Sequence, residues 1–186
     1  MKLPFQIDLT GKVVVVTGAG GVICSVLAEA MAMTGAKVAL LDLNEDAAKK
    51  HADDITAKGY IAKGYKCNVL EKASVQAARD QIAADFGTCD ILINGAGGNN
   101  PKGSTTKDYL EEADLENKVD VTGIKTFFDL DPDGVSFVFN LNFLGTLIPT
   151  QVFAKDMAKR AETSIINISS MNAYTPLTKI PAYSGA

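Results

Sequence analysis

Residues 13–24, VVVVTGAGGVIC, decide the fold of this 186-residue chain. The four consecutive β-branched residues Val13–Val16 have no polar alternation, a pattern typical of a strand buried on both faces of a parallel sheet. The glycine-rich turn that follows runs into apolar residues with helical spacing. Such a turn lets backbone N–H groups at a helix N-terminus approach a pyrophosphate, although it can also be a plain strand–helix connection.

Apolar runs of the same kind recur along the chain, with helix-length segments between them. Further strands are predicted at Val38–Leu41, Ile91–Ile93 and Ile165–Ile168, with a weaker one at Tyr60–Cys67. Helices are predicted over Val22–Thr34, Glu45–Lys58, Glu71–Phe86 and Ser136–Arg160, and a glycine suited to a helix C-terminus follows each of the first three. The alternation predicts an α/β fold, a Rossmann-type doubly wound parallel sheet, in a single domain over residues 1–186.

Composition excludes several classes of function. A net charge of −4 argues against a nucleic-acid or anionic-membrane partner, because phosphate binding needs clustered Lys and Arg. No apolar run reaches membrane-spanning length and the start lacks an apolar signal segment, so we expect a cytoplasmic protein. Cys24, Cys67 and Cys89 show no metal-ligand spacing, so we expect buried reduced thiols and no metal. His51 lies in a charged helical stretch, and we expect catalysis without histidine.

An acidic residue ends the second predicted strand. Asp42 follows Thr17 by 25 residues, where a carboxylate can accept hydrogen bonds from both ribose hydroxyls of a dinucleotide. Its charge would repel a 2′-phosphate, and no arginine flanks it, so the sequence favours NAD over NADP. Asp42 could instead cap the next helix.

At these positions the sequence resembles the short-chain dehydrogenase/reductase family, and the resemblance covers essentially the whole chain. The family's first motif is TGxxxGxG. Thr17 and Gly18 match it, while Val22 and Cys24 occupy the second and third glycine positions. Gly20 and Gly21 would supply the required freedom one position early. The resemblance implies a cofactor-binding turn with the following candidates: Gly18, Gly20, Gly21, Val22 and Ile23, together with Asp42.

Two more cofactor elements resemble the family's. Asn68-Val69 stands where the family has Asp-Val against the adenine. Residues 94–97, Asn94-Gly95-Ala96-Gly97, resemble its NNAG motif, with Gly95 in place of the second Asn. The resemblance implies that these small residues let the chain pass close to the ribose and nicotinamide.

The catalytic residues follow from the same resemblance. Residues 142–146, NFLGT, resemble the family's NLxGT segment and make Asn142 the catalytic asparagine, which would hold a water that links a lysine to solvent. Residues 167–170, NISS, resemble its strand end and make Ser170 the group that polarises the substrate oxygen. Tyr183 follows Ser170 by 13 residues, begins the YxxxK motif and would transfer the proton.

The lysine of that motif would follow Ala186, the last residue. We therefore expect the parent protein to continue, the C-terminal part of the fold to be missing, and a sheet edge to be uncovered. The 186-residue chain alone should bind cofactor poorly and turn over little or no substrate.

A polar insertion separates Asn94 from Asn142 by 48 residues, longer than the family's usual span. Residues 98–135 could be a mobile solvated loop or a substrate cap. In a cap, Asn99, Asn100 and Lys102 would meet hydroxyls or a carboxylate, and Phe127-Phe128 would anchor the return to the core.

The stretches TGAGGVIC, INGAGGNNP, FNLNFLGTLIPTQVF and NISSMNAYTPLTKIPAYSGA resemble one subgroup of the family, the bacterial D-mannonate oxidoreductases, or fructuronate reductases. That resemblance implies NAD-linked interconversion of D-mannonate and D-fructuronate, a substrate-facing Asn172, and a homo-oligomer. Two alternatives stay open: another short-chain reductase, such as a 3-oxoacyl carrier-protein reductase, and a non-catalytic dinucleotide-binding protein.

Overall fold

Strands and helices alternate along the chain, as the hydrophobic pattern predicts. The computed structural model describes residues 7–116 and 123–186. The elements are β1 (Val13–Thr17), α1 (Val22–Met33), β2 (Lys37–Asp42), α2 (Glu45–Thr56), β3 (Ile61–Lys66), α3 (Lys72–Asp85), β4 (Ile91–Asn94), α4 (Pro132–Phe139), α5 (Gly145–Met157), β5 (Ser164–Asn167) and α6 (Pro181–Gly185). Short 3-10 turns lie at Pro101–Gly103, Glu112–Asp114, Phe127–Asp129 and Met171–Ala173, and a π-helical segment, Asn140–Leu144, joins α4 to α5. Gly35, Gly59 and Gly87 follow α1, α2 and α3 with φ values of 90°, 89° and 104°, so the predicted glycine helix ends are confirmed.

The five strands form one parallel sheet in the order β3-β2-β1-β4-β5. In register, Val14 of β1 pairs with Val38 of β2 and with Ile91 of β4. The strand order therefore reverses beside β1, and in sheets of this kind ligands bind at the carboxyl ends of the strands at such a point. The fold-class prediction, a Rossmann-type doubly wound sheet, is confirmed.

Valine and alanine side chains let the helices pack closely on both faces of the sheet. Val14, Val16 and Leu40 form one buried cluster with small residues of α1 and α2, among them Ala28 and Ala52. Alternate residues of β1, Val13 and Val15, are equally buried and face the other side. Buried residues of α3 and α5 include Val75, Ile82, Val152 and Phe153. Helices on both faces explain why β1 is a continuous apolar run.

The last strand is predicted in place but not in burial. The apolar run Ile165–Ile168 predicts a strand buried on both faces, whereas β5 ends at Asn167 and all four of its residues are exposed, in line with the expectation of an uncovered sheet edge. Ile165 and Ile166 retain 39% and 41% of their accessible surface. The physical reason is that β5 pairs only with β4 and forms the edge of the described sheet.

The long helical segment begins earlier than predicted. The expected start was Ser136, but α4 begins at Pro132, where Asp131 accepts a hydrogen bond from the Asp133 N–H at 2.9 Å. By length and composition alone, Pro132–Met157 is long and apolar enough to cross a membrane, whereas no apolar run of that length was expected from the sequence. Core helices of soluble proteins meet the same criterion, and α5 packs against α3 and β4.

The described residues group into two compact units. The sheet unit comprises the described residues up to Ala96 together with Gly145–Ile168. The loop unit comprises the described part of Gly97–Leu144 together with Ser169–Ala186. The single domain over residues 1–186 stays a prediction.

Candidate functional site

The turn after β1 carries two requirements for glycine. Gly18 has a φ of +68°, a left-handed conformation that L-residues with a side chain rarely adopt. A Cβ on Gly18 would also lie 2.8 Å from the Ala96 Cα, so backbone from the end of β4 approaches too closely for a side chain. The first predicted cofactor residue is therefore fixed by backbone geometry within the sheet unit.

Thr17 links the two loops at the carboxyl ends of β1 and β4. Its hydroxyl is completely buried and accepts hydrogen bonds from the Gly95 N–H at 3.1 Å and the Ala96 N–H at 3.2 Å. We did not assign Thr17 to the site from the sequence. The available signal was its place as the threonine of the first motif, where a hydroxyl at a strand end can satisfy the backbone of a neighbouring loop.

The glycines of the turn are not the residues whose N–H groups are available to a phosphate. Within the turn, Ala19 N–H donates to Leu41 O and Gly21 N–H donates to Gly18 O, both at 3.1 Å. The first turn of a helix leaves its N–H groups without intrahelical acceptors, and α1 begins at Val22. Candidate donors to a pyrophosphate are thus the N–H groups of Val22 and Ile23, whose side chains are exposed.

The half-buried carboxylate of Asp42 lies at the end of β2 and is held by backbone. Its Oδ2 accepts from the Gly20 N–H and its Oδ1 accepts from the Asn44 N–H, each at 2.9 Å. The N-cap of α2 is Asn44, whose side chain accepts from the Ala47 N–H, so Asp42 does not cap that helix. A Cβ on Gly20 would lie 2.8 Å from the Asp42 Cγ, which makes Gly20 the residue that admits the carboxylate.

Local hydrogen bonds hold the turn that is predicted to contact adenine. Asn68 uses its amide locally, because Nδ2 donates to Glu71 at 2.8 Å and Oδ1 accepts from the Leu70 N–H at 3.1 Å. The neighbouring Val69 is buried. These contacts shape the turn before α3, and an approach of Asn68-Val69 to adenine stays a prediction.

Asn94 is buried and joins three elements of the sheet unit. Its Nδ2 donates to Thr150 Oγ1 of α5 and to Asn167 Oδ1 of β5, both at 2.9 Å. Within the part of the chain that the structure describes, nothing donates to its Oδ1. Asn94 therefore fixes the strand ends from which Gly95 and Ala96 continue.

The loop unit contains all three predicted catalytic residues. Ser170 precedes the turn Met171–Ala173, and its Oγ accepts from the Asn172 N–H at 3.2 Å. The helix α6, which carries the half-buried Tyr183, packs against that turn and against α4. This places the serine and the tyrosine on adjoining elements.

Asn142 lies in the π-helical segment that continues from α4. Its Nδ2 donates to Gly98 O at 2.8 Å and to Val138 O at 2.7 Å, and its Oδ1 accepts from the Gly98 N–H at 3.1 Å. A Cβ on Gly97 would lie 2.7 Å from the same Oδ1. Asn142 therefore clamps the start of the insertion, and π segments recur at functional sites.

The substrate candidates in the insertion have partners inside the loop unit. Asn100 accepts from the Lys102 N–H at 2.9 Å, and Asn99 donates to Ser104 Oγ at 2.9 Å. The Lys102 ammonium lies 3.1 Å from the Asp131 carboxylate, which partly balances its charge. Asn172, beyond Ser170, is buried, and among the described residues nothing donates to its Oδ1.

Phe127 and Phe128 do not anchor the insertion in the core. They are 66% and 70% exposed and contact each other edge to face, so that expectation is wrong. Polar contacts fix their turn instead, because Asp129 accepts from the Thr126 N–H at 2.8 Å and from its hydroxyl at 2.7 Å. These two bonds lower the pKa of Asp129.

Polar contacts hold other parts of the insertion together. The Lys125 ammonium donates to Pro101 O at 3.0 Å and to Lys102 O at 2.8 Å, and Thr105 N–H donates to Lys179 O at 2.8 Å. Residues 117–122 of the predicted insertion lie outside the described residues. The contacts favour a folded segment over a solvated loop, and its role as a substrate cap stays a prediction.

The three cysteines are free thiols and buried, as predicted. Burial raises the pKa of Cys67 to about 11 and that of Cys89 to about 12, and burial likewise raises the pKa of Cys24. A thiol with a raised pKa is a poor nucleophile at neutral pH, so none of them is suited to covalent catalysis.

The chain matches a family model over most of its length. The family model described as short chain dehydrogenase matches residues 12–186. The chain belongs to the short-chain dehydrogenase family. An uncharacterized oxidoreductase of Haemophilus influenzae is 58% identical over 186 residues, which are 100% of this chain and 63% of that protein.

Two solved structures that are similar to this chain contain bound NAD. A protein of Haemophilus influenza, provisionally named D-mannonate oxidoreductase, is 57% identical with a TM-score of 0.90, covering 96% of this chain and 61% of that one. A xylitol dehydrogenase bound to NAD+ is 27% identical with a TM-score of 0.79, covering 96% of this chain and 60% of that one. The chain thus spans less than two thirds of the length of these relatives.

Proposed function

We propose that the intact protein is an NAD-dependent oxidoreductase that interconverts a secondary alcohol and a ketone of a sugar acid or polyol, with D-mannonate and D-fructuronate as the pair. The observation that carries the proposal is the loop unit's arrangement of Ser170 and Tyr183 on adjoining elements. The dehydrogenase family and the two NAD-bound solved relatives support it.

The residues of the sheet unit fit NAD. Gly18 and Gly20 lie where a Cβ would fill the space beside backbone or carboxylate, and the first turn of α1 offers N–H donors. The Asp42 carboxylate has lone pairs beyond those used by Gly20 and Asn44 and can accept from both ribose hydroxyls. Its negative charge disfavours the 2′-phosphate of NADP.

The side chains of the loop unit would handle the proton and orient the substrate. When bound, NAD supplies the acceptor for the hydride that leaves the alcohol carbon. The Tyr183 hydroxyl, as phenolate, would take the proton from the substrate oxygen, and the Ser170 hydroxyl would donate a hydrogen bond to that oxygen. The resemblance implies that a lysine and the charge of the oxidised nicotinamide would stabilise this phenolate.

The buried side chain of Asn172 is an argument for a substrate rich in hydroxyl groups. A buried carbonyl oxygen without a donor is costly, and a ligand hydroxyl would satisfy it. Asn99 is exposed and could contact a second hydroxyl, as could Asn100. Because Lys102 already pairs with Asp131, its attraction for a carboxylate would be weaker than that of an unpaired ammonium.

The test is NAD reduction by the intact protein with a panel of polyols and sugar acids. We expect D-mannonate to be oxidised, NAD to bind more tightly than NADP, and Asn172→Ala to raise KM for D-mannonate by roughly tenfold. Asn99→Ala, at an exposed position, is the matched control and should change KM by less than about threefold.

Three outcomes would overturn parts of the proposal. Oxidation of other polyols but not D-mannonate would exclude the substrate pair. Tighter binding of NADP would contradict the role given to Asp42. Absence of oxidoreductase activity with either cofactor would leave a non-catalytic dinucleotide-binding protein. A cytoplasmic location and a homo-oligomer stay predictions.

A further inference from the structure

Two departures from the family pattern, 71 residues apart in sequence, meet in space. Cys24 stands where the first motif has its third glycine, and Gly95 stands where the NNAG motif has its second asparagine. In the sheet unit the Cys24 thiol lies 3.7 Å from Gly95 O, and Cys24 is only 5% exposed. A larger residue on one loop therefore faces a smaller residue on the other.

Space, and not backbone conformation, requires glycine at position 95. Gly95 is not among the described glycines with positive φ, so its backbone is open to any L-residue. A Cβ at this position would overlap the Cys24 Sγ, and it would lie 3.1 Å from Thr17 O and 3.6 Å from Ile168 Cγ1. The sulfur is thus the atom that leaves no room for a side chain.

We propose that Cys24 and Gly95 are a size-exchanged pair in which the Cys24 side chain positions the loop at the carboxyl end of β4. The contacts of that loop explain how the effect would reach the cofactor turn. Gly95 and Ala96 donate to Thr17, and Ala96 lies against Gly18. Displacing Gly95 would therefore move Ala96 and the start of the cofactor turn together. The cofactor half of this inference rests on the proposed function.

The experiment is a double-mutant cycle in the intact protein. The variants are Gly95→Ala and Cys24→Ala, each alone and combined. Two quantities are measured for each, the Tm without cofactor and the Kd for NAD. Gly95→Ala alone should lower Tm by roughly 3–10 °C, the size expected for overpacking in a chain of this length. It should also weaken NAD binding by about tenfold, since the cofactor loop must move.

Removing the sulfur should rescue the added methyl group. In the Cys24→Ala background, Gly95→Ala should cost less than half of its Tm loss in the wild type, and NAD affinity should return to within about threefold. Cys24→Ser is the matched control, because its Oγ occupies nearly the same position and the rescue should be absent.

Additive effects on Tm, or equal rescue by Cys24→Ala and Cys24→Ser, would overturn the pairing. If the two substitutions are coupled in Tm but leave the Kd for NAD unchanged, Cys24 and Gly95 pack against each other and Cys24 does not position the cofactor loop. If the wild-type protein does not bind NAD, the proposed function fails, and the Tm cycle still decides whether the two residues are coupled.

Discussion

Gly20 is the residue whose substitution tests the dinucleotide site most sharply. In Gly20→Ala the new Cβ would lie 2.8 Å from the Asp42 Cγ, 2.9 Å from its Oδ2 and 3.0 Å from the Ala47 Cβ. The carboxylate must move, and the 2.9 Å hydrogen bond from the Gly20 N–H is lost or lengthened. Overpacking of this kind costs ~1–3 kcal/mol, which corresponds to a decrease in Tm of roughly 3–10 °C.

The effect on cofactor binding should be separate and larger. A displaced Asp42 would lose one of the hydrogen bonds to the ribose that we propose for it, worth ~1.5–3 kcal/mol when one partner is charged. NAD affinity should therefore fall by roughly 10–100-fold, measured by isothermal titration calorimetry on the intact protein. The ratio of the Kd for NADP to the Kd for NAD should decrease, because the carboxylate would no longer face the 2′ position that we propose for it.

Gly21→Ala is the matched control for the neighbouring glycine. Its Cβ would meet only Gly18 O, at 3.3 Å, and its φ of −85° suits any residue. NAD affinity should stay within about threefold of the wild type, since only the quality of the N-cap changes. Equal affinity losses in the two variants, or an unchanged Kd in Gly20→Ala, would refute the assignment of Asp42 to the ribose.

Two further predictions concern stability. In Gly134→Ala the new Cβ would overlap the Lys102 side chain and would lie 2.8 Å from the Lys102 carbonyl carbon. Differential scanning calorimetry should show a Tm decrease of roughly 3–10 °C. An unchanged Tm would contradict the packing of α4 on the turn Pro101–Gly103. Hydrogen bonds from Lys63 and Tyr65 lower the pKa of Asp85. These bonds therefore stabilise the folded state above the ordinary carboxylate pKa of about 4, and this stabilisation is lost as pH falls through the lowered pKa of Asp85. Lys63→Met should therefore lower Tm at neutral pH and not at pH ~2, and an equal decrease at both would contradict this.

The sheet was predictable because burial on both faces leaves a continuous apolar run. Val13–Val16 and Val38–Leu41 lie within β1 and β2, and glycines end the first three helices as predicted. The apolar pattern alone predicts burial of β5 on both faces, but this strand lies at the sheet edge and stays exposed, as the expectation of an uncovered sheet edge implies. Sequence pattern reports the hydrophobicity of a strand and not whether another element covers it.

The positions of the candidate site residues could be predicted only where a family motif marks them. Asp42 lies at the end of β2, and Ser170 and Tyr183 lie on adjoining short elements, while their roles stay predictions. The supporting contacts were not predictable, because they join residues distant in sequence. Thr17 is visible in the sequence as the threonine of the first motif, but the two N–H groups of another loop that donate to its hydroxyl are not.

The insertion was the hardest part to predict. The paired aromatic residues Phe127 and Phe128 suggested a hydrophobic anchor, but lysine–carbonyl and threonine–aspartate hydrogen bonds hold the segment. Such contacts depend on the path of the backbone and have no periodicity that a sequence could reveal.

The most direct test of the oxidoreductase assignment is the rate of NAD reduction by the intact protein with D-mannonate, compared between the wild type and Tyr183→Phe. The substitution keeps the ring of α6 and removes only the hydroxyl. We expect Tyr183→Phe to lower kcat by ~10²–10⁴-fold and to leave the Kd for NAD unchanged. A Tyr183→Phe enzyme that keeps more than about a tenth of the wild-type kcat would contradict the role of Tyr183 in proton transfer.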